Sequence, residues 1–207
     1  MQGPLVTPPT MISRRASRAS YRSWASGSLN KIMDGLLLVD KHTGPTSHDL
    51  VASLRAVFDG AKTGHTGTLD PLASGLLVIL VGRATKLAPY VPGDPKIYEG
   101  RILLGVSTDS LDMEGQIIAE TPCDKGRDEA QAALASLVGT VEQKPPMYSA
   151  TKYRGKPLYR YARRGEDVPR KSRKVRIYSC EMCGFHTAEG RAELDFYVEC
   201  SPGTYVR

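Results

Sequence analysis

The chain has 207 residues, 41% of them hydrophobic and 24% charged, with a formal net charge of +6. That length can bury a real core in one or two domains, and the longest purely aliphatic stretch, Leu76 to Val81, is too short to span a membrane. The positive charge is concentrated in residues 1–33 and 151–176 while the remainder is net negative, which fits a polyanion gripped at one place or, more blandly, a solvated basic face.

Residues 1–33 carry Arg14, Arg15, Arg18, Arg22 and Lys31 among six serines, with no acid and no apolar period, which predicts a disordered leader outside the fold. Its composition suits an organelle transit peptide; the alternative is a start assigned upstream of Met33. Folded character begins with a strand at Leu36 to Val39 and a turn at Asp40 to Pro45. A helix follows, capped by Thr46 or Ser47, with Leu50, Val51, Leu54, Val57 and Phe58 on one face and Gly60 at its end.

A glycine-bounded turn comes next, from Gly64 to Gly75, ahead of a buried strand at Leu76 to Val81. Its glycines allow positive φ and close approach of the main chain to a flat ligand. Ala84 to Val91 reads as a short helix, and Pro92-Gly93-Asp94-Pro95 breaks the chain before a strand at Ile97 to Val106. Ile117 and Ile118 read as that strand's hairpin partner. A second amphipathic helix spans Ala130 to Val138, and two strands follow at Val175 to Phe185 and Ala192 to Cys200. This order predicts an α+β domain over residues 34–207, with a mixed, largely antiparallel sheet flanked by helices.

The four cysteines, Cys123, Cys180, Cys183 and Cys200, include one C-x-x-C pair. Cys180 and Cys183 fall on a strand, where positions three apart face opposite ways, and no second pair follows, so no metal site is expected. Widely spaced thiols without a secretory signal suggest a reducing compartment, the cytoplasm.

Asp70, inside the glycine-bounded turn, is the best candidate for catalysis. A carboxylate is ionised at neutral pH without help and can act as a nucleophile with no base beside it. The bland alternative is equally open on local chemistry, because Asp70-Pro71 is also a good helix start. If buried, a carboxylate needs a cation, and Arg207, at the end of Ser201-Pro202-Gly203-Thr204-Tyr205-Val206-Arg207, is a reasonable partner. No Gly-Lys-Ser/Thr ends the glycine-rich turn, so a phosphate-cradling loop is not supported. A non-catalytic RNA-binding module, with Asp70 only a cap, is the other rival.

The segment Gly64-His65-Thr66-Gly67-Thr68-Leu69-Asp70-Pro71-Leu72-Ala73-Ser74-Gly75 resembles the signature of the TruB family of tRNA pseudouridine synthases. Four other blocks agree in order: Gly35 to Lys41, Lys96 to Glu99, Pro146 to Tyr159, and Ser201 to Arg207. The resemblance implies isomerisation of uridine 55 in the tRNA T loop by an aspartate nucleophile acting on a flipped base, without cofactor. It implies that Asp70 is the catalytic aspartate and Arg207 its ion-pair partner, and that Tyr98 stacks on the base and assists removal of the C5 proton. His65 would lie beside the flipped nucleotide, Tyr205 would line the pocket, and Lys41 would be structural or phosphate-facing.

The basic segment resembles the family's inserted arm, near residues 145–176, which clasps the T stem-loop and orders on binding. Lys152, Arg154, Arg163 and Arg164 are its candidate RNA contacts, interleaved with Tyr153, Tyr159 and Tyr161. A monomer with tRNA as its partner and no membrane association is expected. Family members continue past the arginine motif with helices that complete the catalytic domain and a small RNA-binding domain, so the sequence is expected to be a fragment whose own activity depends on the remainder.

Overall fold

In a computed structural model, the residues described are 33–123, 125–188 and 191–207. The expected leader, apart from Met33, lies outside them. The chain opens with β1 (Gly35–Lys41), α1 (Ser47–Val57), β2 (Thr63–His65) and β3 (Gly75–Val81). α1 starts where the sequence places it. Thr46 is the cap: its Oγ1 accepts from the Asp49 backbone N–H at 3.1 Å, and the Asp49 carboxylate accepts from the Thr46 N–H at 2.8 Å. Val51 and its neighbours Leu50, Leu54 and Phe58 then pack on Leu77, Ile79 and Val81 of β3.

β1, β3 and β2 form one antiparallel sheet in that order, with Lys41 opposite Gly75. After β3 a 3-10 helix, Gly82–Tyr90, occupies the span read as a short helix, and β4 (Lys96–Leu103) follows. The strand read as Ile97 to Val106 is split: Gly105 takes φ +80, and Val106–Thr108 becomes β5 of a separate hairpin with β6 (Ile117–Glu120). Next come α2 (Arg127–Ala135), β7 (Gly139–Gln143), the short hairpin β8 (Lys152–Tyr153) and β9 (Lys156–Pro157), and α3 (Leu158–Ala162). β10 (Arg173–Ala188) and β11 (Arg191–Cys200) finish the regular structure.

The second large sheet has the order β4-β11-β10-β7. Its core face carries Ile177, Cys180, Leu194, Val198 and Cys200, closed over by Ala130 and Leu134 of α2. The class is α+β, as the sequence indicates. The expected sheet is antiparallel throughout and divided into separate sheets, because each described pairing joins strands that run in opposite directions. Cys180 is buried and Cys183 exposed, so the C-x-x-C thiols do part to different environments. Among the described residues no helix is long and apolar enough to cross a membrane.

Candidate active site

The Asp70 turn is held carbonyl by carbonyl against the β1–α1 connection. Ser47 Oγ donates to the Leu69 carbonyl at 3.1 Å and accepts from the Leu69 N–H at 3.0 Å. The Asp70 carbonyl accepts from the Ala73 N–H at 3.1 Å, the Pro71 carbonyl from the Gly44 N–H at 2.9 Å, and the Leu72 carbonyl from Thr43 Oγ1 at 3.3 Å. Lys41 completes the set. Its Nζ donates to Pro71 at 3.0 Å, Ala73 at 2.6 Å and His42 at 3.1 Å.

Irregular backbone with its successive carbonyls from Leu69 to Ala73 met in this way presents a side chain in one place. It also decides the helix-start alternative for Asp70-Pro71: residues 70–74 form a turn that leads into β3, and no helix follows. Of the turn's glycines, only Gly75 takes a positive φ, +122; Gly64 and Gly67 do not use that freedom.

Lys41 is fully buried, and all three of its ammonium protons are directed at carbonyls. The phosphate-facing role read for it is therefore corrected: no face of the amine is left for RNA, and the side chain serves the turn. Burial lowers its pKa, while the Asp70 and Glu114 carboxylates pull it back up.

The structure brings Arg207 to Asp70. β11 ends at Cys200, and residues 201–207 run on to place the Arg207 Nη2 2.9 Å from Asp70 Oδ1. The same Nη2 donates to the Tyr148 carbonyl at 2.6 Å, and Nη1 lies 3.2 Å from Asp112 Oδ2 and 3.3 Å from the Ser110 carbonyl. Asp112 is itself fixed, since its Oδ1 accepts from Ser110 Oγ at 2.5 Å and from the Glu114 N–H at 3.1 Å. The Arg207 and Asp112 side chains are 13% and 10% exposed, but that of Asp70 is 37% exposed. One carboxylate is locked away with the guanidinium, and the other is held by it yet reaches solvent. Burial holds the Asp70 carboxyl above the ordinary carboxylate range; Arg207 opposes this, Asp112 adds to it and Lys41 opposes it.

Asp112 was not singled out in the sequence. Asp109-Ser110-Leu111-Asp112-Met113-Glu114 reads as a solvated acidic turn, and only the fold shows that one of its three acids turns inward. Beside it a cleft of about 370 Å³ opens, lined by Asp109, Leu111, Met147, Tyr148, Glu166 and Arg170 among others.

The other candidates sit around this cluster to different degrees. Tyr98, on β4 opposite Val198, packs against the α2 core; burial raises its phenol pKa, and the nearby Cys200 and Asp70 add to the rise. His65, on β2, is half-buried with Nδ1 enclosed and unpartnered, and burial lowers its pKa. Tyr205 is tied down, its hydroxyl 3.0 Å from Thr151 Oγ1 and its ring beneath the Arg173 guanidinium at 4.8 Å.

In the basic segment Lys152, Arg154, Arg163 and Arg164 are exposed. Arg154, Arg163 and Arg164 lie over the rings of Tyr153, Tyr159 and Tyr161 at 5.3, 5.4 and 5.5 Å. Not every arginine there faces outward. Arg170 donates to the Pro145 carbonyl at 3.1 Å and pairs with Asp167 at 3.2 Å, with its side chain only 17% exposed.

A family model described as TruB family pseudouridylate synthase (N terminal domain) matches residues 55–206. The chain is 48% identical over 179 residues to a tRNA pseudouridine synthase B of Geobacillus kaustophilus, an alignment covering 84% of this chain and 63% of that one. It is 48% identical over 177 residues to the enzyme of the same name from Aromatoleum aromaticum, covering 86% and 56%. The chain thus spans about three fifths of the length of these curated relatives.

Among solved structures, a crystal structure of a Cbf5-Nop10-Gar1 complex matches with a TM-score of 0.55 at 27% identity, covering 84% of this chain and 41% of that one. An H/ACA RNP bound to a substrate RNA containing 2'-deoxyuridine matches with a TM-score of 0.53 at 23% identity, covering 84% and 39%, and shares the fold. With a family model over most of its length and close relatives on both sides of the Asp70 turn, the chain belongs to the TruB family of pseudouridylate synthases.

Proposed function

We propose that the chain acts as a tRNA pseudouridine synthase, converting uridine 55 of the T loop to pseudouridine, with Asp70 as nucleophile and the target nucleotide swung out of its stack. The observation that carries this reading is the Asp70 carboxylate, steadied on one oxygen by Arg207 at 2.9 Å and still more than a third exposed. Such a group is paired with a cation, oriented and reachable, which is what a carboxylate nucleophile needs.

The reaction breaks the C1′–N1 bond and joins C1′ to C5; N1 gains a proton and C5 loses one, so substrate and product are isomers and no cofactor is needed. Attack on the base, attack on the sugar and deprotonation of the sugar to a glycal all begin at this carboxylate. The detached uracil must stay in the site while it turns. Tyr98 supplies an aromatic face, worth about 1–3 kcal/mol in stacking. Its raised pKa keeps the phenol protonated at neutral pH, which favours the stacking role over that of a base. His65, half-buried on β2, would lie beside the flipped nucleotide, and Tyr205 would line the pocket.

Extruding the base costs a few kcal/mol, offset by contacts elsewhere on the RNA. The exposed cations Lys152, Arg154, Arg163 and Arg164 would supply these along the T stem-loop, as part of an arm near residues 145–176 of a catalytic domain spanning 34–207. The working form in this reading is a cytoplasmic monomer. Tritium release from C5 of uridine in an unmodified T-arm stem-loop tests the proposal. Asp70→Asn should abolish release while retaining RNA affinity; affinity in the wild type without release would mark a binding module instead.

A further inference from the structure

We propose that Gln143 and Arg173 are positioning residues of this site: facing each other across β7 and β10, they grip the Gly203–Tyr205 backbone and ring and so set the reach of Arg207 to Asp70. The inference rests on the reading of Asp70 as the catalytic carboxylate.

The two residues are register partners at the end of the β7–β10 ladder. Beyond Ser201 the segment is no longer part of a strand, so its main-chain groups must find other partners. Gln143 supplies both for Tyr205. Its Oε1 accepts from the Tyr205 N–H at 2.8 Å, and its Nε2 donates to the Tyr205 carbonyl at 2.7 Å. One primary amide thereby imitates an adjacent strand, a task open to Asn or Gln alone and, at this reach, to Gln. Arg173 closes the other side, donating from Nη2 to the Gly203 carbonyl and lying 4.8 Å above the Tyr205 ring.

Ser201 anchors the start of the same segment, its N–H donating to the Arg176 carbonyl at 2.8 Å and its Oγ accepting from the Arg176 N–H at 2.9 Å. Only Val206 separates the gripped Tyr205 from Arg207, so a shift at Tyr205 is passed to a guanidinium that must meet two carboxylates and two carbonyls at once. The same rung is where the basic excursion, residues 144–172, leaves and rejoins the sheet.

The test is Gln143→Met, which keeps the volume and removes both hydrogen bonds. Asp70 is faced by Arg207, by Asp112 of the β5–β6 turn, by Lys41 at the end of β1 and by the Tyr98 phenol on β4. Of these, Arg207 alone belongs to the segment that Gln143 holds. Loosening it removes an influence that lowers the Asp70 pKa, so the acid limb of kcat should move to higher pH. At neutral pH kcat should fall roughly 10- to 100-fold, as expected of a small misplacement, with KM and RNA affinity within about twofold of wild type.

A carbon-13 NMR titration of the Asp70 carboxyl should show the same upward move without any turnover. It therefore separates the two proposals: a shifted titration in a protein that forms no pseudouridine upholds the clamp and removes the catalytic reading. A folded Gln143→Met with wild-type acid limb and wild-type Asp70 titration overturns the clamp. If that variant does not fold, Arg173→Lys, which keeps the charge and loses the planar fork, is read by the same two measurements, with the same shift supporting the clamp and its absence overturning it.

Discussion

Arg207 lies 2.9 Å from Asp70 although the two are 137 positions apart in the chain. The guanidinium completes a bridge between the turn before β3 and the segment after β11, and it occupies both of its terminal nitrogens in doing so. Arg207→Lys keeps one charge and loses the fork, so it can serve one carboxylate but not both. Turnover is expected to fall roughly 100-fold with little change in RNA affinity, measured as single-turnover rate against filter-binding Kd. Arg207→Ala should also cost about 2–3 kcal/mol of stability by urea titration. That is at or below the low end for breaking a buried pair, since Asp70 keeps a wet edge.

The direction of the Asp70 shift links activity to stability. Its folded pKa is raised above the unfolded value, so the ionised form is disfavoured by folding. The resulting cost is absent below the unfolded carboxylate pKa and fully present above the folded one. Asp70→Asn removes it, and this variant should melt higher than wild type at pH 7, with the difference shrinking as pH falls through that window. Thermal melts from pH 7 down to pH 4 give the comparison; an Asn variant that melts lower at pH 7 would contradict it.

Lys41 should be intolerant of change. Lys41→Ala removes a donor from three carbonyls, leaving Pro71 with the Gly44 N–H, and opens a void where a fully buried side chain stood. A loss of about 3–5 kcal/mol in urea is expected. Lys41→Arg should also destabilise, because a larger planar group cannot enter a closed site without displacing its walls. If either variant keeps wild-type stability, the turn is not held as described.

Within the basic segment the arginines divide by where they point. Arg163→Gln and Arg164→Gln should each weaken tRNA binding and reduce the slope of log K against log salt by about 0.7–0.9, because both side chains are exposed to phosphate, although Arg164 also lies 3.2 Å from Glu166. Arg170→Gln should leave that slope nearly unchanged and lower thermal stability instead, since its guanidinium holds the Pro145 carbonyl and Asp167. Equal salt slopes in wild type and the Arg163→Gln/Arg164→Gln double variant would remove these residues from the RNA contact surface.

The fold class and most element positions were legible because local rules set them: the Thr46 cap, the apolar face of α1, and the aliphatic run of β3 each act within a few residues. The Asp70 turn was legible as an irregular segment, but not its rigidity. That comes from Ser47 and Lys41, residues that read as a cap candidate and as a structural or phosphate-facing cation. Burial of Lys41 is decided by carbonyls 30 and 32 positions away, which no local period reports. Asp112 was missed for the same reason, and within the basic run of residues 151–176 the inward Arg170 and Arg173 cannot be told from the outward arginines, because charge density along a chain carries no direction. In each case the missing information was a partner distant in sequence.

The carbonyl of Tyr148, within the excursion between Gln143 and Arg173, is among the groups that fix the Arg207 guanidinium. The appendage that would grasp the substrate is therefore also part of the wall behind the Asp70 carboxylate. Trimming it to a short loop, or exchanging it for another recognition module, would alter chemistry as well as choice of target, so specificity here cannot be engineered as a detachable part.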